Sequence, residues 1–167
     1  MPIQNGKELF VRLLSDLRQS TERSTKVYQE LAQLAQNPDI KEALEARATI
    51  TEQDLANLDQ CFKLIGEKPA AGKTQLQETL VEDFRRELSE MQNPTARRLY
   101  VLIKAMHLTN LRVAEYMALV AASDLTGHYG VGVLLESCLA DKLAFVERNR
   151  DIIRHQFEVK VAERLAA

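Results

Sequence analysis

Apolar residues recur at three- and four-residue spacing through almost the whole chain, the period of helices that bury one face. The first stripe, Leu9, Phe10, Leu13, Leu14 and Leu17, resumes at Val27, Tyr28, Leu31 and Leu34 and predicts a helix over about 6–36. Asn37-Pro38 ends it, because a residue before proline is pushed out of the helical region, and the same pair opens the next helix as cap and first turn. That helix, about 38–65, carries Ile40, Leu44, Ala48, Leu55, Leu58, Phe62 and Ile65 and stops at Gly66. After the loop GEKPAAGK comes a shorter helix, about 74–91, with Leu76, Leu80, Phe84, Leu88 and Met91 on one face. Asn93-Pro94 starts a third long helix, about 94–125, with Leu99, Leu102, Ile103, Met106, Val113, Tyr116, Met117 and Val120. Gly127 and Gly130 bracket a turn, and a fourth, about 129–156, carries Val131, Leu134, Leu135, Cys138, Phe145 and Ile152. The tail 157–167 keeps some pattern (Phe157, Val161, Leu165) and reads as an exposed extension or a dimer contact.

Each long stripe breaks at mid-length. Ser20, Thr21 and Ser24 interrupt the first helix; Arg47, Thr51 and Asp54 the second; Thr109 and Arg112 the third; Ser137 and Asp141 the fourth. Short connections and antiparallel packing bring those breaks to one level. Inward polar residues at one level are the layout of a carboxylate di-metal bundle, which needs a Glu from two helices and Glu-x-x-His from the other two. No Glu-x-x-His occurs, since none of His107, His128 and His155 follows a glutamate by three. The two arginines either reach past the core edge to water or pair with acids, Arg112 with Asp141 and Arg47 with Asp54 or the two pairs crossed.

Composition narrows the classes. The 167 residues suit one domain, and Lys+Arg 22 against Asp+Glu 24 gives no basic surface for nucleic acid. Six glycines, four prolines and no tryptophan fit an all-helical chain. No run approaches a membrane span or a signal peptide, so the expected setting is cytoplasmic, with Cys61 and Cys138 as reduced core residues. No cysteine has a histidine at helical-neighbour spacing, and neither a phosphate loop nor a GxSxG elbow exists.

Over about residues 8–155 the chain resembles the YciE/YciF family of bacterial ferritin-like proteins, tied to stress responses and mostly without assigned activity. ELFVRLLSDL (8–17), LDQCFKLIGEKP (58–69), VAEYMALVAASDLTGH (113–128) and LLESCLADK (134–142) carry the resemblance. It implies an all-α, ferritin-like antiparallel four-helix bundle with a short accessory helix between helices two and three. It also shows what is missing. The family's first-helix glutamate falls on Thr21, with Glu22 one position on. Its His-Leu-Glu-Glu-Thr run falls on Arg47 to Thr51, with Ile50 in the second glutamate's place. Its Glu-His-Tyr-Glu run falls on Thr109 to Arg112, and its fourth-helix carboxylates on Ser137 and Asp141. The expected layer is therefore degenerate, without metal or other cofactor: Thr21, Arg47, Ile50, Asp54, Thr109, Arg112, Ser137 and Asp141. Three functions follow as expectations. One is a non-catalytic structural or stress-associated protein, a homodimer with no nucleic-acid or membrane partner. Another is a di-iron or manganese oxidoreductase or peroxide scavenger, using a shifted site of Glu22, Glu52, Asp54, Glu115 and Asp141. The third is a binder of a small anion between the arginines.

Overall fold

The computed structural model describes residues 3–35, 37–70 and 75–166, with side chains except at 75–78, 80 and 156–166. Five helices follow in order: α1 Gly6–Leu34, α2 Pro38–Ile65, α3 Gln75–Glu90, α4 Pro94–Leu125 and α5 Tyr129–Ala166. Their ends are set by local chemistry. Asn5 accepts from the Glu8 amide while the Glu8 carboxylate takes the Gln4 amide and the Asn5 side chain, a reciprocal cap. Asn37 and Asn93 cap α2 and α4 in one manner, each accepting from two amides ahead of a first-turn proline. Gly66 ends α2 at φ 67, left-handed backbone that costs a glycine nothing. Arg97 Nη1 satisfies the last carbonyls of α3, at Leu88 (2.9 Å) and Met91 (3.0 Å).

The long helices pack as a closed ring in the order α1, α2, α5, α4. Contacts such as Arg18 with Asp59, Asn57 with Cys138, Lys142 with Tyr116, and Phe10 with His128 pair residues nearer the start of one helix with residues at or nearer the end of its neighbour. Every adjacent pair is thus antiparallel, so α2 and α4 run the same way. The chain must recross the bundle between them, and α3 lies on that crossover. Phe84 and Leu88 hold it to the bundle, with the Phe84 ring stacked on Tyr100 (5.7 Å) and Arg85 on Glu30 (2.7 Å). This is the expected all-α, antiparallel four-helix bundle with a short accessory helix.

The core divides in two. One apolar cluster joins Val27, Tyr28, Leu31, Ile40, Leu44, Leu102 and Phe145; the other joins Phe10, Leu14, Leu17, Leu58, Phe62, Tyr116 and Leu135. Each such side chain contributes about 1.5–3 kcal/mol of burial. Several expected core residues are instead exposed: Leu9, Leu13, Ile103 and Met117. The last helix runs further than expected, α5 continuing through the tail to Ala166. The side chains of Leu76, Leu80, Phe157, Val161 and Leu165 lie outside the described residues.

Candidate functional site

Between the two apolar clusters lies a layer of polar side chains from all four bundle helices. From α1 come Thr21, Ser24 and Tyr28; from α2, Arg47, Thr51 and Asp54; from α4, Thr109, Arg112 and Tyr116; from α5, Lys142. The helical hydroxyls satisfy themselves locally: Thr21, Ser24, Thr51 and Thr109 each donate to the carbonyl four residues back, at 2.8 Å. Such back-bonding lets a hydroxyl sit in an apolar interior without a tertiary partner. Tyr28 and Thr109 then join α1 to α4 through their hydroxyls, 2.6 Å apart.

The charges gather on Asp54. Its Oδ2 accepts from Lys142 Nζ at 2.6 Å and from Arg47 Nη2 at 3.1 Å, and all three side chains are 1% exposed. Aromatic faces complete the setting. The Arg47 guanidinium lies 5.7 Å from the Tyr28 ring centre and 5.6 Å from that of Phe145, and Lys142 Nζ lies 4.0 Å from that of Tyr116. Rings of this kind attract a desolvated cation by up to about 2 kcal/mol. Burial still pushes the Lys142 pKa down, while Asp54 pulls it back. Arg112, also buried, meets Glu115 one turn on, with Nη1 2.8 Å from Oε2 in poor hydrogen-bond alignment. Burial lowers the Arg112 pKa and raises that of Glu115.

Of the expected layer, Thr21, Arg47, Asp54, Thr109 and Arg112 are brought together, and Ile50 is half-buried beside them. Of the two readings of Arg47, the pair with Asp54 is the one that forms. Ser137 and Asp141 do not join: both are exposed on α5, and the inward position is Lys142. The buried stripe of α5 is Val131, Leu135, Cys138, Lys142, Phe145 and Asn149, so Ser137 and Asp141 sit one residue, about 100°, off it. Arg112 consequently pairs with Glu115 rather than Asp141. The shifted carboxylate set does not converge either, since Glu22, Glu52 and Asp141 all face solvent.

A di-metal centre does not fit these residues. Asp54 is the one fully buried carboxylate among the described residues, and its Oδ2 is already shared by two cations. Among the described residues no three of His, Cys, Asp and Glu gather in a group able to hold a metal. His107 and His155 are exposed, and His128 stacks on Phe10 at the α4–α5 turn.

The class defined here is an all-helical, single-crossover four-helix bundle with a charged interior layer. The chain belongs to the DUF892 family, a domain of unknown function whose match spans residues 5–162. The structure is similar to YcfI of Rhodopseudomonas palustris, for which a structural role has been suggested (TM-score 0.85, 22% identity, 89% of this chain and 94% of that one). It is equally similar to the E. coli stress protein YciF (TM-score 0.85, 21% identity, 90% and 95% covered). A protein of Xanthomonas campestris follows at TM-score 0.73 and 22% identity, covering 98% and 100%. These likenesses agree with the YciE/YciF resemblance read from the sequence. No curated protein matches the chain.

Proposed function

We propose that this chain is a ferritin-like bundle that keeps a polar layer in place of a di-metal site and acts as a non-catalytic, structural or stress-associated protein. The observation that carries the reading is Asp54. The carboxylate that a metal would require is neutralised twice over by side chains of the protein itself, Arg47 and Lys142. The carboxylate is thereby occupied by the protein's own cations, with no need of redox or Lewis-acid chemistry. The description of E. coli YciF as a stress protein, and the structural role suggested for YcfI, support the same direction.

The test is the metal content of protein purified, without chelator, from cells supplemented with iron and manganese. The expected content is far below one ion per chain. About two irons per chain, the load of a di-iron bundle, would overturn the reading and make a carboxylate oxidoreductase the leading case.

The reading includes a homodimer. Leu64, Leu125, Tyr129 and Val133 are exposed around the α4–α5 turn and the end of α2, an apolar surface that a second copy would cover. Sedimentation equilibrium should give twice the 18.9 kDa chain mass, and Tyr129→Lys with Val133→Lys should return it to the monomer mass. A monomer at all concentrations removes the dimer from the proposal.

A further inference from the structure

The hydrogen-bond needs left over in the charged layer are mostly those of donors. Arg47 Nε and Nη1 and Arg112 Nε are buried without a partner, Arg112 Nη1 and the acceptor Glu115 Oε2 lie 2.8 Å apart out of alignment, and the Tyr116 hydroxyl, which can donate or accept, is also unmatched. Arginine nitrogens only donate, so what the two guanidinium groups lack is an acceptor. Asp54 meets Lys142 and one Arg47 N–H through Oδ2 and leaves Arg47 Nε and Nη1 unmet. Glu115 meets Arg112 Nη1 by distance, but the angle is poor, and Arg112 Nε is left over.

The charges are equally one-sided. Arg47, Arg112 and Lys142 stand against Asp54 and the half-exposed Glu115, whose other near acid, Asp16, already pairs with Arg12. A water would accept two hydrogen bonds but leave that excess untouched. An uncompensated buried charge costs several kcal/mol.

The register says where an acceptor would sit. Along α4, Arg112 lies between Thr109 and Tyr116; along α1, Ser24 lies between Thr21 and Tyr28; along α2, Thr51 lies between Arg47 and Asp54. The larger side chains Tyr28, Arg47 and Phe145 thus form one level, and Tyr116, Asp54 and Lys142 the other. At the level between them stand the small Ser24 and Thr51, with Arg112 entering from α4 and the Arg47 side chain reaching across to Asp54. An interior this closely packed takes a monatomic ion rather than an organic anion.

We propose that this level, between the Arg47 and Arg112 guanidinium groups, is a binding site for one small inorganic monoanion of the halide class. Burial lowers the pKa of both Arg112 and Lys142, with Glu115 and Asp54 pulling the other way. The anion takes the free guanidinium N–H groups and the Tyr116 hydroxyl proton and balances the layer without a metal. The proposal rests on the metal-free reading above.

The test uses crystals of the full chain soaked in sodium bromide, with diffraction recorded on both sides of the bromine absorption edge. The expected result is one anomalous peak inside the bundle, within hydrogen-bond distance of Arg47 and Arg112. No interior peak, or density there that refines as water, overturns the anion site. Data at the iron and manganese edges from the same crystals separate the two readings, because a peak there sinks the metal-free reading whatever bromide does. In solution, chain dialysed into gluconate should show a Tm that rises and saturates as bromide replaces gluconate at fixed ionic strength. Arg112→Met should lose most of that rise, and the surface control Arg86→Met should keep it. An equal rise in Arg112→Met, or none in the wild type, also refutes the site.

Discussion

Asn in place of Asp54 is the sharpest perturbation of the layer. The amide keeps the shape of the carboxylate and removes only its charge. Arg47 and Lys142, each 1% exposed, would then share the interior with no anion between them. Removing one partner of a buried pair costs about 3–5 kcal/mol, because the charge left behind is uncompensated. Lys142→Met is the contrasting variant. It leaves Arg47 and Asp54 as a one-to-one pair and replaces the lysine stem with a side chain of similar volume. The lost charged hydrogen bond, about 1.5–3 kcal/mol, is offset by no longer burying an ammonium group. A net cost of about 1 kcal/mol follows.

Urea unfolding at neutral pH measures both. With a slope of roughly 2 kcal/mol per molar, Asp54→Asn should lower the midpoint by about 2 M and Lys142→Met by about 0.5 M. The slopes should stay unchanged, so that the shifts report stability rather than a different unfolded state. A Lys142→Met variant as damaged as Asp54→Asn refutes the reasoning, since it would mean that lysine, not the carboxylate, balances the layer. So does an Asp54→Asn cost below about 1 kcal/mol, the ordinary effect of any substitution.

Three further expectations follow. Between the lowered pKa of Lys142 and its ordinary 10.5 the unfolded chain holds more protons at this group, so Lys142 should add stability that climbs with pH, set above about 9 against the loss from Cys61 and Cys138, whose buried thiols keep protons that the unfolded chain gives up. Above about 10, the buried Tyr28 and Tyr116 keep protons that the unfolded chain loses, and stability should fall; urea midpoints across alkaline pH, with Lys142→Met losing the climb, check both arms. A Cβ on Gly132 would lie 2.7 Å from Ser123 Oγ where α5 leaves the turn against α4, so Gly132→Ala should cost about 1–3 kcal/mol, and Ser123→Ala in the same chain should recover much of it in thermal unfolding. Cys61 and Cys138 are buried, with thiol pKa values pushed up by burial to about 12 and about 11, so a thiol-disulfide reagent should label neither in the native state and both in urea.

The helix ends were legible because they rest on local chemistry: two Asn-Pro pairs and Gly66 mark them within a residue or two of where they lie. The layer was legible on α1, α2 and α4, where a polar residue breaks an otherwise apolar face. It was misplaced on α5 for a physical reason. That helix carries Leu134, Leu135, Leu139 and Leu143 around much of its circumference, so its stripe has little contrast. Lysine is also rarely buried, and an aspartate beside it is the more natural reading of a polar break. The spacing did hold a signal: Cys138 and Phe145, seven apart and both inward, put position 142 on the same face. The stripes of α1 and α4 were read too wide. Phe84 and Leu88 of α3 cover those helices near Val27 and Tyr100, while Leu9, Leu13 and Met117, nearer the other end, remain exposed.

Whether the layer exists for stability or for binding can be decided by removing it whole. In Arg47→Met, Asp54→Leu, Lys142→Met the three charges leave together, so no partner is stranded and both apolar clusters become continuous through α2 and α5. Replacing a buried ionic triad by apolar side chains of similar volume is often neutral or stabilising, by about 1–4 kcal/mol. The triple variant should therefore unfold at the wild-type urea midpoint or above it, although Asp54→Asn alone is severely damaged. It should at the same time lose the bromide-dependent rise in Tm, because Arg47, one of the two proposed anion ligands, is gone. That combination would mean that the charges are kept at no gain in stability, for what they hold. A triple variant destabilised by more than about 3 kcal/mol would instead show that the ion network itself holds the four helices together.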